Sequence, residues 1–294
     1  MKQQNPAPIS SAASYRPPEA HKYIFIPDTH GHYQKVMDLL DILHRKDLLR
    51  NRQLVFLGDF IDRGPDVKAL LELMIRMSER GHVCISGNHD LVMRAVLTPG
   101  EHLPRWVARW REKYACEQTL KSYGMEIADL PTDPHEVPQF LTAHMPPAHI
   151  HFLQTLPLFW EAGCYIAVHA GLEPVRHVPG LEGHLIKGIR VRPWVEQRVE
   201  LLMMKNSPKL LFAGLGPRQL CLRELADQRF EAAMPEGKCV VSGHWHRDVA
   251  YFSHSRALIH MGVDYQGPLT AWIPDQKVLI TTRQEIPLHL PKIA

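Results

Sequence analysis

Three short apolar runs, each followed by Asp, His, Asn or Gly, most constrain what this chain of 294 residues can form. The runs span residues 23–26, 54–57 and 82–85, and each leads through the polar residues into a helix-like segment. Strands that alternate with helices predict a parallel sheet, and open α/β sheets place their sites at the carboxyl ends of the strands. The pattern therefore predicts a functional site built from polar residues at three strand ends.

The rest of the chain predicts a second sheet. Two further regions, about 98–150 and 172–237, have helical spacing, except for a Pro-rich, loop-like stretch at 131–147. From residue 238 onward the sequence becomes a series of short, closely spaced β-rich runs. We therefore expect an α/β (α+β) fold with two packed, mixed β-sheets flanked by helices. The site would lie at one shared edge of the two sheets.

The domain organisation expected from the sequence is simple. Residues 1–21 are rich in Pro, Ser, Ala and Gln and lack periodicity, which predicts a disordered tail. Residues 22–294 are predicted to form a single domain, in which the two helical regions are insertions. The amino terminus has no apolar stretch typical of a signal peptide, and no apolar run reaches the length of a membrane span.

Composition narrows the class of protein and its partners. The chain has 34 Lys+Arg and 31 Asp+Glu, and a net charge of +3 is too small to indicate nucleic acid or membrane binding. Five scattered cysteines without a CxxC motif are typical of reduced thiols, so a cytoplasmic location is expected. The oligomeric state stays open.

The residues at the strand ends have the chemistry of a metal cluster. Asp28 and His30 are two positions apart, so one short loop can direct both side chains at one ion. Asp59 carries two oxygens and could bridge two ions, while Asn88 offers a neutral amide oxygen. His169 and His244 follow strand-like runs in the second half; these oxygen and nitrogen donors suit Mn²⁺, Fe or Zn²⁺.

Further residues would serve phosphoryl transfer, the reaction for which a two-metal cluster is well suited. Arg63 is placed to neutralise charge on the phosphoryl oxygens. His89 follows Asn88 directly and could protonate the leaving oxygen, with Asp62 holding the imidazolium. We expect Trp106 and Trp110, which are spaced for one helix face, to pack in the core, and Arg105, Arg109 and Arg111 to form a solvated face.

The motifs DxHG, GDxxDRG, GNHD, HAG and GHxH occur in this order over roughly residues 22–282. Together they resemble the calcineurin-type metallophosphoesterases, and the closest likeness is to the bacterial serine/threonine phosphoprotein phosphatases. The resemblance implies two metal ions with Asp59 shared between them. It assigns the acid to His89 with Asp62 and a second phosphate-binding arginine to Arg190, with Arg192 as its rival. The implied ligands are Asp28, His30 and Asp59 on one ion, and Asp59, Asn88, His169 and His244 on the other.

The sequence departs from the protein phosphatase pattern at two positions near the site. Pro27 stands where a glycine usually precedes the first Asp; it fixes one φ angle but leaves the ligands intact. His246 stands in the GHxH motif, where broader metallophosphoesterases have a metal ligand. Its alternative is a surface histidine after a strand, and the sequence leaves both open.

We therefore expect a metal-dependent phosphomonoesterase that hydrolyses phosphoserine or phosphothreonine by attack of an activated water. Its partner would be a phosphorylated protein or a small phosphoester, with neither nucleic acid nor a membrane involved. One alternative is a hydrolase of dinucleoside polyphosphates such as diadenosine tetraphosphate, which shares nearly all these motifs. The other is a non-catalytic phosphoprotein-binding module that keeps the fold.

Overall fold

The computed structural model describes residues 22–173, 194–214, 216–221, 235–253, 255–263 and 266–288. Arg190, Arg192, the tail predicted over residues 1–21 and parts of the helical region predicted at about 172–237 lie outside these ranges. Within the described residues, no helix is both long enough and apolar enough to span a bilayer.

The described residues form eleven short strands. In chain order they are β1 (Tyr23–Ile26), β2 (Gln53–Phe56), β3 (Val83–Cys84), β4 (Phe159–Ala162), β5 (Tyr165–Val168), β6 (Cys239–Ser242), β7 (Tyr251–Phe252), β8 (Arg256–Leu258), β9 (Thr270–Ile273), β10 (Val278–Thr281) and β11 (Glu285–Pro287).

The strands pair into two mixed sheets. The first has the order β11-β10-β9-β1-β2-β3, and the second has the order β4-β5-β6-β8-β7. Parallel pairing joins β1 to β2 and β2 to β3 in the first sheet, and β5 to β6 and β6 to β8 in the second. Antiparallel strands complete both sheets. The predicted fold class, with two mixed sheets flanked by helices, is confirmed.

The two sheets pack face to face because their strands are apolar on both sides. In β1, Phe25 points into a layer shared with Ala167, Val241 and Trp272, which belong to strands of both sheets. Its neighbours Ile24 and Ile26 belong to the larger cluster formed with the helices. Strands buried on both faces read as continuous apolar runs rather than as alternating patterns, as the sequence of β1 does.

Nine α-helices lie in the described residues. They are α1 (Tyr33–Arg45), α2 (Val67–Glu79), α3 (Asn88–Val96), α4 (Leu103–Lys113), α5 (Glu117–Ser122), α6 (Val137–His144), α7 (Pro147–Thr155), α8 (Trp194–Lys205) and α9 (Pro208–Leu211). The helices α4 to α7 occupy the region about 98–150.

One local prediction was wrong, and one helix begins within a predicted motif. Residues 131–147 were expected to be a loop, but α6 forms there because Pro138 lies in its first turn, where a missing N–H costs nothing. Helix α3 begins at Asn88, inside the GNHD motif, because the Asp90 carboxylate accepts the Gly87 N–H at 2.8 Å. Asn88 and His89 therefore lie in the first turn of a helix.

Candidate metal centre

The predicted site residues follow the carboxyl ends of parallel strands. Asp28 comes two residues after β1, Asp59 three after β2, and Asn88 four after β3. In the second sheet, His169 directly follows β5 and His244 comes two residues after β6. Because the parallel strands of each sheet end at one edge, these side chains from distant parts of the chain converge.

Close backbone approaches explain the glycines of two motifs. A Cβ atom built on Gly87 would collide with Asp59 Oδ1, and one built on Gly243 would collide with Asp28 Oδ1. Any larger residue would therefore push a carboxylate out of position. Several site residues also adopt positive φ angles, which L-residues avoid and which concentrate at functional sites: His30 (39°), Asp59 (53°), Asp62 (65°), Arg63 (62°) and His244 (58°).

Asp90, which sequence reasoning treated as part of the GNHD motif without a role, ties two of these loops together. Its buried carboxylate accepts backbone N–H bonds from Asp59 (2.7 Å), Phe60 (2.9 Å) and Gly87 (2.8 Å). Burial and the neighbouring Asp59 carboxylate raise the pKa of Asp90 to about 7, while the backbone donors favour its ionised form.

One side of the cluster contains Asp28, His30 and Asp59, all buried. His30 Nδ1 lies 3.1 Å from the Ile61 carbonyl oxygen, so this nitrogen carries the proton and Nε2 presents a lone pair. His30 Nε2 is 3.6 Å from Asp59 Oδ2 and 3.9 Å from Asp28 Oδ2. The arrangement brings an imidazole nitrogen and two carboxylates towards one point.

The other side contains Asp59, Asn88, His169 and His244. His169 Nδ1 lies 2.7 Å from the Leu57 carbonyl oxygen, which leaves Nε2 facing the cluster. Around this Nε2 lie Asn88 Oδ1 at 3.0 Å, His244 Nδ1 at 3.1 Å and Asp59 Oδ2 at 3.2 Å. Asp59 Oδ2 thus faces a histidine on each side, as a bridging carboxylate requires.

The donor set fits divalent cations. Four atoms with lone pairs surround one point near His169: His169 Nε2, Asn88 Oδ1, His244 Nδ1 and Asp59 Oδ2. Their negative partial charges repel one another unless a cation lies between them. Although burial disfavours the imidazolium, the carboxylates of Asp59 and Asp28 raise the pKa of His169 to about 9. Burial and the charged His169 lower the pKa of His244 to about 3. The cluster therefore favours a positive charge, which a proton on His169 supplies here. Its oxygen and nitrogen donors suit Mn²⁺, Fe or Zn²⁺.

Among the described residues, two groups of three could each hold a metal ion, and Asp59 belongs to both. One group is Asp59, His169 and His244; the other is His30, Asp59 and His89. In each group, one donor atom per residue lies within 4.8 Å of the others. The second group contains His89 where the resemblance implies Asp28, so geometry alone allows His89 as a ligand or as an acid beside the ion.

The side chain of His89 is held by a buried network. Its Nδ1 lies 2.7 Å from Asp62 Oδ2, and both side chains are buried. The other oxygen of Asp62 accepts hydrogen bonds from Thr119 Oγ1 at 2.6 Å and Trp110 Nε1 at 3.3 Å. Three donors thus fix the Asp62 carboxylate, and the carboxylate fixes the His89 ring.

Trp110 and Thr119 hold the Asp62 carboxylate, a role that no sequence motif indicated. Trp106 and Trp110 are buried in the core as expected, and Trp106 Nε1 donates to the Phe212 carbonyl oxygen at 3.1 Å. The hydrogen bonds of Trp110 and Thr119 to Asp62 depend on the packing of α4 against α3 and of α5 against α2, which spacing along the chain does not reveal.

The arginines differ in their surroundings. Arg63 is exposed, with Nη1 3.2 Å from His30 Nε2, so its guanidinium lies at the mouth of the cluster. The predicted solvated face of α4 was wrong for Arg109 and Arg111, which are half-buried. Arg111 donates to the Pro131 carbonyl oxygen, and Arg109 donates to the Tyr114 hydroxyl, because the chain after α4 folds back against the helix.

His260 is a buried neighbour of Asp28 that sequence reasoning missed. It comes two residues after β8, and its Nδ1 lies 3.4 Å from Asp28 Oδ2. The other carboxylate oxygen of Asp28 accepts the His244 N–H at 2.8 Å. These contacts orient a predicted ligand, and the strand-end pattern that indicated His169 and His244 would also have indicated His260.

His246 lies beside this group. Its ring centroid is 6.3 Å from that of His260, and its Nε2 is 3.9 Å from Asp248 Oδ1. The ring lies against Gly262, where a Cβ atom would collide with it. About 40% of the side chain is exposed, so His246 lies at the rim of the centre.

We expect His246→Ala to lower the affinity for one metal ion by about 10–100-fold, as loss of a metal ligand's supporting contact does, or more if His246 is itself a ligand. Metal titration by calorimetry would measure the affinity, and His144→Ala, which removes an exposed histidine of α6, is the control. An unchanged affinity would assign His246 to the surface.

The sequence motifs and this geometry agree with a known protein family. A family model described as calcineurin-like phosphoesterase matches residues 21–248. The chain belongs to the calcineurin-like phosphoesterase family. Metallophosphoesterases of this kind are hydrolases that use divalent metal ions, and the clustered histidines and carboxylates described above are where this chain would hold them.

Individual relatives are more distant. The zinc-dependent endopolyphosphatase of Saccharomyces cerevisiae is 35% identical over 89 residues, which cover 30% of this chain and 26% of the yeast protein. The chain thus matches about a quarter of that relative's length.

Among solved structures, a cold-active protein tyrosine phosphatase of the psychrophile Shewanella sp. superimposes with a TM-score of 0.54 and 14% identity, over 91% of this chain and 80% of that one. A mutant of a cold-active protein tyrosine phosphatase gives a TM-score of 0.56 and 16% identity over the same shares. At 14% and 16% identity, the similarity to these structures supports a shared fold alone.

Proposed function

We propose that the protein is a metal-dependent phosphomonoesterase that acts on phosphoserine or phosphothreonine. The observation that carries this proposal is the His89–Asp62 pair, joined at 2.7 Å and lying beside Asp59 and His30. A serine or threonine alkoxide is strongly basic, so it leaves only with a proton. A phosphoanhydride expels a phosphate, which needs a proton much less. A positioned acid therefore favours alkyl esters.

The chain's own residues have distinct roles in this reaction. Asp28, His30, Asp59, Asn88, His169 and His244 would hold two metal ions, with Asp59 between them. Such ions lower the pKa of water and neutralise a phosphoryl group. Arg63 would bind phosphoryl oxygens from the exposed side, and Arg190 is proposed as a second phosphate-binding residue. His89 would donate its proton to the leaving oxygen while Asp62 stabilises the imidazolium.

A second candidate is the hydrolysis of phosphoanhydrides such as inorganic polyphosphate. The 35% identity to a zinc-dependent endopolyphosphatase favours it, although the match covers about a quarter of that protein. Dinucleoside polyphosphates contain the same anhydride bond, so a single comparison tests both alternatives.

A substrate panel would decide between these candidates. We expect kcat/KM for a phosphoserine peptide to exceed that for tripolyphosphate, long-chain polyphosphate and diadenosine tetraphosphate, each assayed with Mn²⁺ and with Zn²⁺. Release of inorganic phosphate, or of nucleotides for the dinucleotide, gives the rates. A phosphoanhydride that is cleaved faster by orders of magnitude would overturn the phosphomonoesterase proposal. Binding of a phosphopeptide without hydrolysis under any of these conditions would indicate a non-catalytic module.

A further inference from the structure

Tyr114 lies against the centre of the proposed site, although no motif includes it. It follows α4 and is 6% exposed. Its ring meets the His89 ring edge-on, with centroids 4.5 Å apart and planes at 70°. The side-chain amide of Asn88 lies close enough to the hydroxyl to act on its pKa. One side chain thus contacts the predicted acid and lies close to a predicted metal ligand.

The Tyr114 hydroxyl is surrounded by donors. Arg109 Nε lies 3.3 Å and Arg109 Nη2 lies 3.1 Å from the hydroxyl oxygen, and a guanidinium can only donate. The Asn88 amide directs its oxygen at His169 Nε2, 3.0 Å away, so its NH₂ group is the side that is not directed at His169. The guanidinium N–H groups use the lone pairs of the hydroxyl oxygen, but a phenol also carries one proton to donate. Within the described residues, none of these partners accepts that proton.

Arg109 strengthens the hydroxyl as a donor. Its guanidinium carbon lies 5.5 Å from the Tyr114 ring centroid and 5.9 Å from that of Trp106, so two aromatic rings hold it in place. In the described part of the chain, no carboxylate lies within ion-pair distance of Arg109. A positive charge that donates to a hydroxyl oxygen polarises the O–H bond and makes its hydrogen more acidic.

We propose that Tyr114 donates a hydrogen bond from its hydroxyl to a non-bridging phosphoryl oxygen of the substrate, with Arg109 polarising that hydroxyl. The inference rests on the proposed function as a phosphoester hydrolase. A phosphoryl group held by the metal ions next to His89 would lie beside the ring that Tyr114 contacts and beside Asn88, whose amide is close to the Tyr114 hydroxyl. Charge develops on the equatorial phosphoryl oxygens in the transition state, where a fixed donor has its largest effect.

Tyr114→Phe tests the proposal because it removes the hydroxyl and keeps the ring against His89. We expect inorganic phosphate, titrated by calorimetry into the Mn²⁺-loaded protein, to bind roughly tenfold more weakly, since a hydrogen bond to a charged group is lost. We expect kcat/KM to fall by roughly 10²-fold, as when one oxyanion donor is removed. The factor should be the same for p-nitrophenyl phosphate and for a phosphoserine peptide, because the donor does not touch the leaving group.

Tyr123→Phe is the matched control. The Tyr123 hydroxyl is also hydrogen-bonded, to His149 Nδ1 at 2.7 Å. Tyr123 directly follows α5 and His149 lies on α7, and neither residue belongs to the groups of potential metal ligands. The control should leave phosphate affinity and kcat/KM near wild type. If Tyr114→Phe fails to fold, as thermal unfolding would show, Arg109→Gln replaces it, because it removes the polarising charge and should weaken phosphate binding in the same way.

Three results would overturn the proposal. Unchanged phosphate affinity would mean that the hydroxyl does not meet the phosphoryl group. Loss of bound metal in Tyr114→Phe would mean that Tyr114 acts through Asn88, and a loss of rate confined to the phosphoserine peptide would mean that it acts through His89. These results require an active wild type. A wild-type protein that neither binds phosphate nor hydrolyses any phosphoester would overturn the proposed function as well.

Discussion

Asp59→Asn should abolish phosphoester hydrolysis while the fold stays intact. The substitution is nearly isosteric, but it removes the charge from the only residue shared by both groups of potential ligands. Asp59 Oδ2 faces His30 Nε2 at 3.6 Å and His169 Nε2 at 3.2 Å, a position that would suit a ligand shared by two ions. Metal ions supply several kcal/mol of transition-state stabilisation, so the rate should fall by at least about 10²–10³-fold.

Metal binding provides a readout that does not depend on activity. At a metal concentration of 100 times Kd, Mn²⁺ or Zn²⁺ should raise the free energy of unfolding of the wild type by about 2.7 kcal/mol, and the variant should lose most of this gain. Asp66→Asn, an exposed position before α2 whose side chain makes no capping hydrogen bond, is the control. An Asp59→Asn protein with full metal content and normal turnover would contradict the bridging assignment.

Much of the fold was predictable because its signals are local. The apolar run of β1 and the Asp28 that follows it are almost adjacent in sequence, and β1 has the bounds that its apolar run predicted. The order of strands in the sheets was not predictable, because β9 pairs with β1 over more than 240 residues and no local pattern encodes that choice. The edge strand β11 was missed because Glu285 and Pro287 do not read as a strand.

The residues of the site were also predictable only in part. Strand-end motifs led to the residues that converge in the structure, because parallel strands of a sheet end at one edge. The residues that hold them were missed. Thr119, Trp110 and Tyr114 come from helices and turns of the region about 98–150, and only tertiary packing places them against Asp62 and His89. The roles assigned to Arg190 and to the other site residues stay predictions.

His89→Asn should slow hydrolysis of a phosphoserine peptide far more than hydrolysis of p-nitrophenyl phosphate. General acid catalysis contributes typically about 10²–10⁴-fold, and an acidic phenol leaves without much help while a serine alkoxide does not. Asp62→Asn should reduce the two rates in the same order but by smaller factors. Asp62 Oδ2 lies 2.7 Å from His89 Nδ1, so Asp62 fixes and stabilises the ring without touching the leaving group.

The dependence of the rate on the leaving group also decides between the two roles that the geometry allows for His89, metal ligand or acid. An imidazole whose Nδ1 is held by a carboxylate suits a metal ligand as well as an acid, and one ring nitrogen of His89 lies within 4.8 Å of ligand atoms of His30 and Asp59. If His89 is the acid, His89→Asn keeps its metal and the loss grows with the basicity of the leaving group. If His89 is a ligand, metal content falls and both esters slow equally. A series of phosphate esters of graded leaving-group pKa separates the two roles when metal content is measured on the same samples, with His144→Asn as the control. A loss of rate that does not depend on the leaving group would show that His89 is not the acid. It would also remove the main support for alkyl phosphoesters as substrates.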